Sequence, residues 1–251
     1  MKVLPFFALL GVVTAAPEGL ERRQLPIPQA KGKQTLQQAM NVKGNYDGGM
    51  KVFGRGLRCQ PNKEGGRADA VFVVQPGGTL SNVIIGPDIQ EGIRCLGGCT
   101  LNNCWFQKVC EDAITGKGNG DVIINGGGAT GASDKVLQFN GRGTMYVKNF
   151  ICIGFDTMYR ACGNCGGGQQ GQRNVVFQGV KAQNGKRLVG INSNFGDVAK
   201  IQNTCATNVE RICVESSGTG GGGESSESGS GSQSGGSGSS KNCQVGQVPQ
   251  C

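Results

Sequence analysis

The sequence contains no histidine among its 251 residues, and aromatic residues make up only 6% of it. The absence of histidine excludes Ser-His-Asp and Cys-His catalysis and any zinc site with imidazole ligands. Proton transfer is left to carboxylates, lysine, arginine and a bound hard metal ion. The scarcity of aromatic residues, together with the lack of a recognisable binding motif, argues against a nucleic-acid partner.

Long hydrophobic runs are also scarce, and the one apolar stretch is at the N-terminus. Residues 1–16, MKVLPFFALLGVVTAA, combine Lys2, an apolar run and small residues, which is the pattern of a secretory signal peptide and is too short to span a bilayer. Residues 17–23 end in the dibasic pair Arg22-Arg23, typical of a pro-segment, so Gln24 is the predicted mature N-terminus. We therefore expect a secreted, extracellular protein without membrane association.

An internal repeat is the strongest signal in the sequence. Short β-rich units begin at nearly equal spacing, at Gly78 (GTLSNVII), Cys99 (CTLNNCWF), Gly120 (GDVIINGG) and Gly143 (GTMYVKNF). Units from Gln172 and Asp197 continue the series. A unit of this length cannot bury its inner face alone, but stacked copies share a core. The repeat predicts an all-β fold, a single-stranded parallel β-helix, over residues 24–215, with LQQAM near Leu36 as a short cap.

The C-terminal region differs in composition. Residues 216–241 are almost entirely Ser, Gly and Glu, which predicts a flexible tail over 216–251 that ends in a cysteine pair. The chain has twelve cysteines, and in a secreted protein an even number predicts a disulfide framework. We expect Cys243 to pair with Cys251, and some of Cys95, Cys99, Cys104 and Cys110 to link adjacent coils. A metal or redox site at Cys162-x-x-Cys165 is the competing interpretation.

Charged residues recur with nearly the same period as the repeat. Glu91, Asp112 (preceded by Glu111), Lys135 and Arg160 follow one another at intervals that lengthen slightly along the chain. Residues one turn apart in a β-helix stack at roughly 4.8 Å. The spacing predicts one column that is acidic at one end and basic at the other; the alternative is a solvated stripe of surface charge.

The formal net charge of +8 indicates an acidic partner. For a secreted protein an acidic polysaccharide is a better candidate than nucleic acid, although a net charge also serves solubility.

Several motifs together resemble the small secreted fungal pectate lyases of polysaccharide lyase family 3. They are, in order, SNVIIG, EGIRCLGGCTLNN, CEDAIT, INGGGA, GASDKV, QFNGRGT, YRACGNC and INSNFGD, and they extend from about Val42 to Glu215. The resemblance implies a right-handed parallel β-helix that cleaves polygalacturonate by calcium-dependent β-elimination, with a monomer as the default state. The 4,5-unsaturated oligogalacturonides are the implied products.

The resemblance also assigns roles to particular residues. Glu91, Glu111 and Asp112 match the family's Ca²⁺ ligands, and such oxygen donors suit this ion. Lys135 matches the catalytic base. Arg160 would bind the substrate carboxylate and help to depress the pKa of Lys135. Asp134 would orient Lys135 or assist the metal, while Glu64 and Asp69 are weaker candidates for the wall of the cleft.

The sequence departs from the family pattern at three positions. Thr157 stands where a lysine is usual, Arg94 replaces a histidine, and Arg67 replaces an acidic residue. Arg94 or Lys117 could substitute for the missing lysine in binding substrate. The alternative is a catalytically weak or inactive β-helix that binds pectin or is recognised at a host cell wall. A hydrolase is disfavoured because its two carboxylates would have to flank the scissile bond, whereas here the acids cluster together.

Overall fold

The computed structural model describes residues 24–61, 63–166, 168, 170–221, 226–233 and 239–251. The predicted signal peptide (1–16) and pro-segment (17–23) lie outside these residues. Within them, two short 3-10 helices, Arg67–Asp69 and Ser193–Phe195, are the only helical segments. The strands, in chain order, are β1 (Lys33–Thr35), β2 (Met40–Val42), β3 (Asn45–Gly54), β4 (Ala70–Val74), β5 (Thr79–Ile85), β6 (Glu91–Cys95), β7 (Cys99–Phe106), β8 (Asp112–Gly116), β9 (Val122–Phe139), β10 (Gly143–Lys148), β11 (Ile151–Ala161), β12 (Arg173–Gln178), β13 (Lys181–Asn192), β14 (Ala199–Gln202), β15 (Cys205–Ser217), β16 (Ser226–Gln233) and β17 (Cys243–Val245).

These strands form a parallel β-helix, as the repeat predicted, and it is right-handed, as the resemblance implied. The helix has three faces. Face A contains β2, β4, β6 and β8, followed by the C-terminal parts of β9, β11, β13 and β15. Face B contains the N-terminal parts of β3, β5, β7 and β9, followed by β10, β12, β14 and β17. Face C begins with β1 and ends with the N-terminal part of β15.

Stacked apolar side chains fill the interior. On face A, Phe72, Ile93, Ile114, Leu137 and Tyr159 pair in register from coil to coil, and each is fully buried. Such side chains pack well on a pleated surface, and each coil covers the apolar edge of the one before it. The core therefore runs along the axis of the helix and leaves the outer side of face A for polar residues.

Coil lengths agree with the predicted repeat at most steps. Thr79 pairs with Thr100, and Val122 pairs with Met145, and both steps match the spacing of the repeat units. The intermediate step is longer than predicted, because Cys99 pairs with Val122 and not with Gly120. The short cap near Leu36 is not helical: the segment joins β1 to β2, and the Leu36 amide donates to the Gly54 carbonyl at 2.8 Å.

Five disulfides link the described residues: Cys59–Cys110, Cys95–Cys99, Cys162–Cys165, Cys205–Cys251 and Cys213–Cys243. The Cys162-x-x-Cys165 pair is thus a disulfide and not a metal site. The predicted Cys243–Cys251 pair is wrong, because each of these cysteines bonds to β15 instead. Cys104 and Cys152 are unpaired thiols buried in the core, so the expectation of a fully paired set is also incorrect.

The C-terminal residues contact the last coils to a greater extent than the predicted flexible tail implied. Strand β17 pairs in parallel with β14 and extends face B by one strand. Strand β16 pairs antiparallel with β15. None of the residues that the structure describes belongs to a helix of the length and hydrophobicity needed to cross a membrane.

Candidate active site

A column of polar side chains, column 1, runs along face A. Ile93 pairs with Ile114, which places Glu91 in register with Asp112; Asp112 then pairs with Lys135. Lys135 pairs with Thr157, and Thr157 with Arg187. The predicted stacking of Glu91, Asp112 and Lys135 is therefore confirmed.

Arg160 is not in this column, and its predicted place there is wrong. It belongs to column 2, which lies three positions further along each strand and contains Arg94, Thr115, Gln138 and Arg160. The coil from Lys135 to Thr157 is three residues shorter than the spacing from Lys135 to Arg160, so Thr157 takes the place beside Lys135 that the sequence gave to Arg160. The irregularity between Phe155 and Thr157 accounts for one of these three residues. The coil length at this one step decided the error.

The acidic end of the two columns is a cluster of three buried carboxylates, Glu91, Glu111 and Asp112. One oxygen from each lies within 4.8 Å of the others, and the side chains belong to residues that are at most 3% exposed. Oε2 of Glu111 and Oδ1 of Asp112 accept no hydrogen bond from any described residue. Buried carboxylates this close together, with unused acceptors, require a cation between them or protons on them.

The pKa values of the cluster reflect this crowding. Burial and the neighbouring Glu111 raise the pKa of Glu91 to about 9, against an ordinary value of 4.5. Burial likewise raises the pKa of Glu111, and it raises that of Asp112 well above the usual range. A hard divalent cation with oxygen ligands fits this donor set, because it would stabilise the ionised carboxylates.

A short segment covers the acidic cluster, and its backbone fits there only without a side chain. A Cβ atom on Gly65 would lie 2.1 Å from Cγ of Glu91. Arg94 donates to the Gly65 carbonyl at 3.1 Å, and its Nη1 lies 3.5 Å from Oε1 of Glu91. The Cys59–Cys110 disulfide attaches the chain just before this segment to the residue that precedes Glu111. The cover and the cluster are therefore fixed to each other.

Lys135 is the next residue of column 1. Its Nζ lies 3.7 Å from Oδ1 of Asp112 and donates a short hydrogen bond to Asp134. Burial lowers the pKa of Lys135, but the carboxylates of Asp112 and Asp134 outweigh burial and raise it above its ordinary value. This direction is opposite to the depression that the resemblance implied, and Arg160 is not among the main causes of the shift. Asp134 does contact Lys135, as expected for a residue that orients it.

Arg160 extends away from Lys135, toward the C-terminal coils. Its Nη1 donates to Oγ of Ser216 at 3.3 Å. The side chain passes over Gly190, where an added Cβ would lie 3.1 Å from Nη1 and 3.2 Å from Cδ. The guanidinium thus occupies the space that the absent side chain of Gly190 leaves free.

Both columns line one cleft of about 600 Å³ on face A. All the predicted site residues line it: Glu91, Arg94, Glu111, Asp112, Asp134, Lys135 and Arg160. Glu64 and Lys117 also line it, but Asp69 is not among its described wall residues and instead accepts a hydrogen bond from the Gly66 amide at 2.8 Å. The cleft brings acidic, basic and neutral side chains together along its length.

The wall also contains residues that did not follow from the sequence, among them Thr115, Asp156 and Arg187. Oγ1 of Thr115 lies 3.4 Å from Glu91 and 3.5 Å from Asp112, so it bridges the carboxylates. Its signal was its distance along the chain from Arg94, which equals the distance from Glu91 to Asp112. Arg187 had no such signal, because the step from Thr157 to Arg187 is longer than the other coils and disturbs the count before it.

Comparisons with known proteins point to one family. A family model described as pectate lyase matches residues 24–222. The chain is 50% identical over 228 residues to a probable pectate lyase E of Aspergillus clavatus. The aligned region covers 88% of this chain and 89% of the relative. It is 51% identical over 209 residues to pectate lyase H of Emericella nidulans, with 82% and 80% covered.

Solved structures show the same fold. The catalytic domain of pectate lyase PelI from Erwinia chrysanthemi superposes with a TM-score of 0.63 at 25% sequence identity, covering 82% of this chain and 96% of that domain. A second structure of PelI, in complex with tetragalacturonic acid, superposes with the same TM-score and identity and covers 82% of this chain and 66% of that one.

Proposed function

This chain belongs to the pectate lyase family, and we propose that it cleaves de-esterified homogalacturonan by calcium-dependent β-elimination, using the cleft on face A. As a pectate lyase it is a carbon–oxygen lyase that acts on polysaccharide (EC 4.2.2.2). The observation that carries the proposal is the register of column 1, in which Lys135 adjoins the carboxylate cluster at one wall of a single cleft.

We assign the metal site to Glu91, Glu111 and Asp112. The support is their mutual distance within 4.8 Å, their burial, and the unused acceptors on Glu111 and Asp112. Calcium held there would supply a Lewis acid that neutralises the substrate carboxylate and the protein carboxylates. Oγ1 of Thr115, within 3.5 Å of Glu91 and Asp112, would help to fix the orientation of these two ligands.

Lys135 is the proposed base. Its neutral Nζ would take the proton from C5 of a uronate residue, the C4–O bond would break, and the departing oxygen would take a proton from solvent. The product gains a double bond between C4 and C5. Because the carboxylates of Asp112 and Asp134 raise the pKa of Lys135, their neutralisation is a condition for the reaction, and the working pH should be alkaline.

Other side chains would position substrate and base. Arg160, with its planar fork of donors, suits a uronate carboxylate in the basic half of the cleft. Asp134 contacts Nζ of Lys135 and would hold it toward the cleft. Arg94 is mostly committed to Glu91 and the Gly65 carbonyl, which makes it a weaker substrate ligand than the sequence suggested.

The setting of the enzyme follows from the same observations. The acidic polysaccharide substrate fits the net charge of +8, and the complex of PelI with tetragalacturonic acid supports this class of ligand. Five disulfides fit an extracellular protein. We propose a secreted monomer.

The test is to mix the purified protein with polygalacturonate at alkaline pH and follow the ultraviolet absorbance of the 4,5-unsaturated product. We expect absorbance to rise with calcium and to stop when a chelator is added. An absorbance that does not change, combined with retained binding of polygalacturonate, would replace the lyase with a pectin-binding protein. An absorbance that continues to rise after the chelator is added would show that the reaction does not need the metal.

A further inference from the structure

The fourth residue of column 1, Thr157, carries no charge. Thr157 follows Lys135 in register and is 4% exposed. Its hydroxyl donates to Oδ1 of Asp156 at 3.0 Å, so it is already used within the protein. A uronate carboxylate lying over this coil would therefore meet no cation from Thr157 itself.

The next coil supplies a cation at this place. Arg187 pairs with Thr157 in register and lines the same cleft. Its Nη2 lies 3.6 Å from Oδ1 of Asp156, the same oxygen that accepts the Thr157 hydroxyl. The guanidinium thus lies close to the Asp156 oxygen that Thr157 also contacts.

Asp156 is the group that positions this arginine. Its other oxygen, Oδ2, accepts a hydrogen bond from Nζ of Lys186 at 2.6 Å. Although burial alone would raise its pKa, the hydrogen bonds from Lys186 and Thr157 lower it below the ordinary value. The two cations share one carboxylate but differ in location: the side chain of Lys186 is 61% exposed and is not among the cleft residues, whereas that of Arg187 is 27% exposed and is one of them.

We propose that Arg187, positioned by Asp156, binds a substrate carboxylate over the Thr157 coil, as a second cationic anchor beside Arg160. The identity of the ligand as a uronate rests on the proposed function. A guanidinium carries a fork of several N–H donors, so it can pair with one carboxylate of the protein and also bind another from the substrate. Since the net charge of Asp156, Lys186 and Arg187 is positive, the site attracts an anionic sugar.

The experiment is calorimetric titration of tetragalacturonate into the full chain with chelator present to prevent turnover, in which Arg187→Gln is compared with Lys186→Gln. Both variants remove one partner of Asp156, but only the first removes a cation from the cleft. We expect Arg187→Gln to weaken binding about tenfold and Lys186→Gln to change it less than about twofold, with Arg187→Lys in between. Equal losses for the two glutamine variants would show that the effect passes through Asp156 alone and would overturn the proposal.

Two further arms make the assignment specific. Fully methyl-esterified tetragalacturonate has no free carboxylate, so Arg187→Gln should not weaken its binding. Thr157→Lys should restore binding of tetragalacturonate in the Arg187→Gln background, because the new ammonium would supply a cation at the position of column 1 that has none. A loss of affinity for the ester as large as that for the acid, or no restoration, would contradict carboxylate binding by Arg187.

Turnover is measured separately, so that the two proposals fail in different ways. If the wild-type chain binds tetragalacturonate but forms no unsaturated product, the lyase mechanism fails while the role of Arg187 is still decided by the titrations. If turnover is normal and the Arg187→Gln and wild-type affinities agree, only the role of Arg187 fails. Thermal denaturation of each variant identifies any loss that comes from misfolding.

Discussion

At the scale of single residues, the carboxylates of the acidic cluster are packed more closely than their charges favour. Glu91, Glu111 and Asp112 are buried within 4.8 Å of one another, and each has a raised pKa. Two of them keep an oxygen without a hydrogen bond from any described residue. Such an arrangement lowers the stability of the folded protein when no cation is bound, and cation binding restores that stability.

Asp112→Asn tests the metal assignment. The amide keeps the shape of the side chain but removes one negative charge, so we expect the calcium concentration for half-maximal activity to rise roughly tenfold or more. The control is Asp47→Asn, which changes an exposed carboxylate on face B. An unchanged calcium dependence in Asp112→Asn would place the metal elsewhere.

Glu91 gives the metal-free protein a defined pH dependence. Its pKa is about 9 in the folded chain and 4.5 in the reference state, so between these values the folded protein binds more protons than the unfolded one. The free energy of unfolding should therefore fall as the pH rises through this window. Denaturant titrations with chelator at several pH values measure the slope.

Calcium and one substitution provide the controls for this slope. Saturating calcium should reduce it, because the cation stabilises the ionised carboxylates, and Glu91→Gln should flatten it in the metal-free protein. A free energy of unfolding that increases with pH in the metal-free wild type would contradict the expected sign.

Lys135→Ala tests the base. A proton acceptor contributes about 10²- to 10⁴-fold to such a step, and we expect kcat to fall by that factor. Tetragalacturonate affinity should change much less, because the anchors at Arg160 and Arg187 remain. Lys148→Ala, on face B, is the matched control. Substantial residual turnover in Lys135→Ala would exclude this lysine as the base.

At the scale of strands and coils, register determined how much of the site could be predicted. The coil lengths place Glu91 in register with Asp112, and Asp112 in register with Lys135. Both steps could be predicted from the spacing of the charged residues. The next step failed because the coil from Lys135 ends at Thr157, three residues before Arg160, and the irregularity between Phe155 and Thr157 accounts for only one of these residues. Local irregularities of this kind leave no mark on a pattern of apolar residues.

Disulfide pairing shows a second limit. The number of cysteines predicted a framework, yet Cys243 and Cys251 bond to β15 instead of to each other, since β17 lies next to β14 on the last coils. Cys104 and Cys152 resemble the other cysteines in the sequence but are enclosed in the core, where neither has a disulfide partner. Pairing depends on which coils come together, and sequence spacing alone does not supply that information.

The Cys59–Cys110 disulfide holds the segment that covers the metal site in place. It joins positions 51 residues apart and holds the cover of Glu91 beside Glu111. We expect the double variant Cys59→Ser/Cys110→Ser to lose about 3 kcal/mol of stability and to bind calcium more weakly. The matched control is Cys95→Ser/Cys99→Ser, which opens a bridge between positions only 4 apart. Equal calcium affinity in the two double variants would show that the covering segment does not contribute to calcium binding.

At the scale of the whole molecule, the β-helix is a stack in which each coil contacts mainly its neighbours. The acidic cluster lies near the middle of the stack, whereas the C-terminal residues protect its last coils. Cys243 and Val245 of β17 belong to the buried core, and β17 covers the edge of β14 that would otherwise be open. An open edge of this kind is a site for aggregation.

Deletion of residues 239–251 should therefore separate stability from metal binding. Without β17 and the Cys205–Cys251 and Cys213–Cys243 bridges, we expect the melting temperature to fall by roughly 10 °C or more and aggregation to increase. Calcium affinity, measured well below the transition, should be unchanged, because four coil-to-coil steps separate Asp112 from Arg211 on β15 and coupling in a solenoid is mainly between neighbours. The control Cys205→Ser/Cys251→Ser keeps β17 in place and should show a smaller fall. A calcium affinity that declines in step with the melting temperature would mean that the stack unfolds as one unit, with the metal site coupled to its far end.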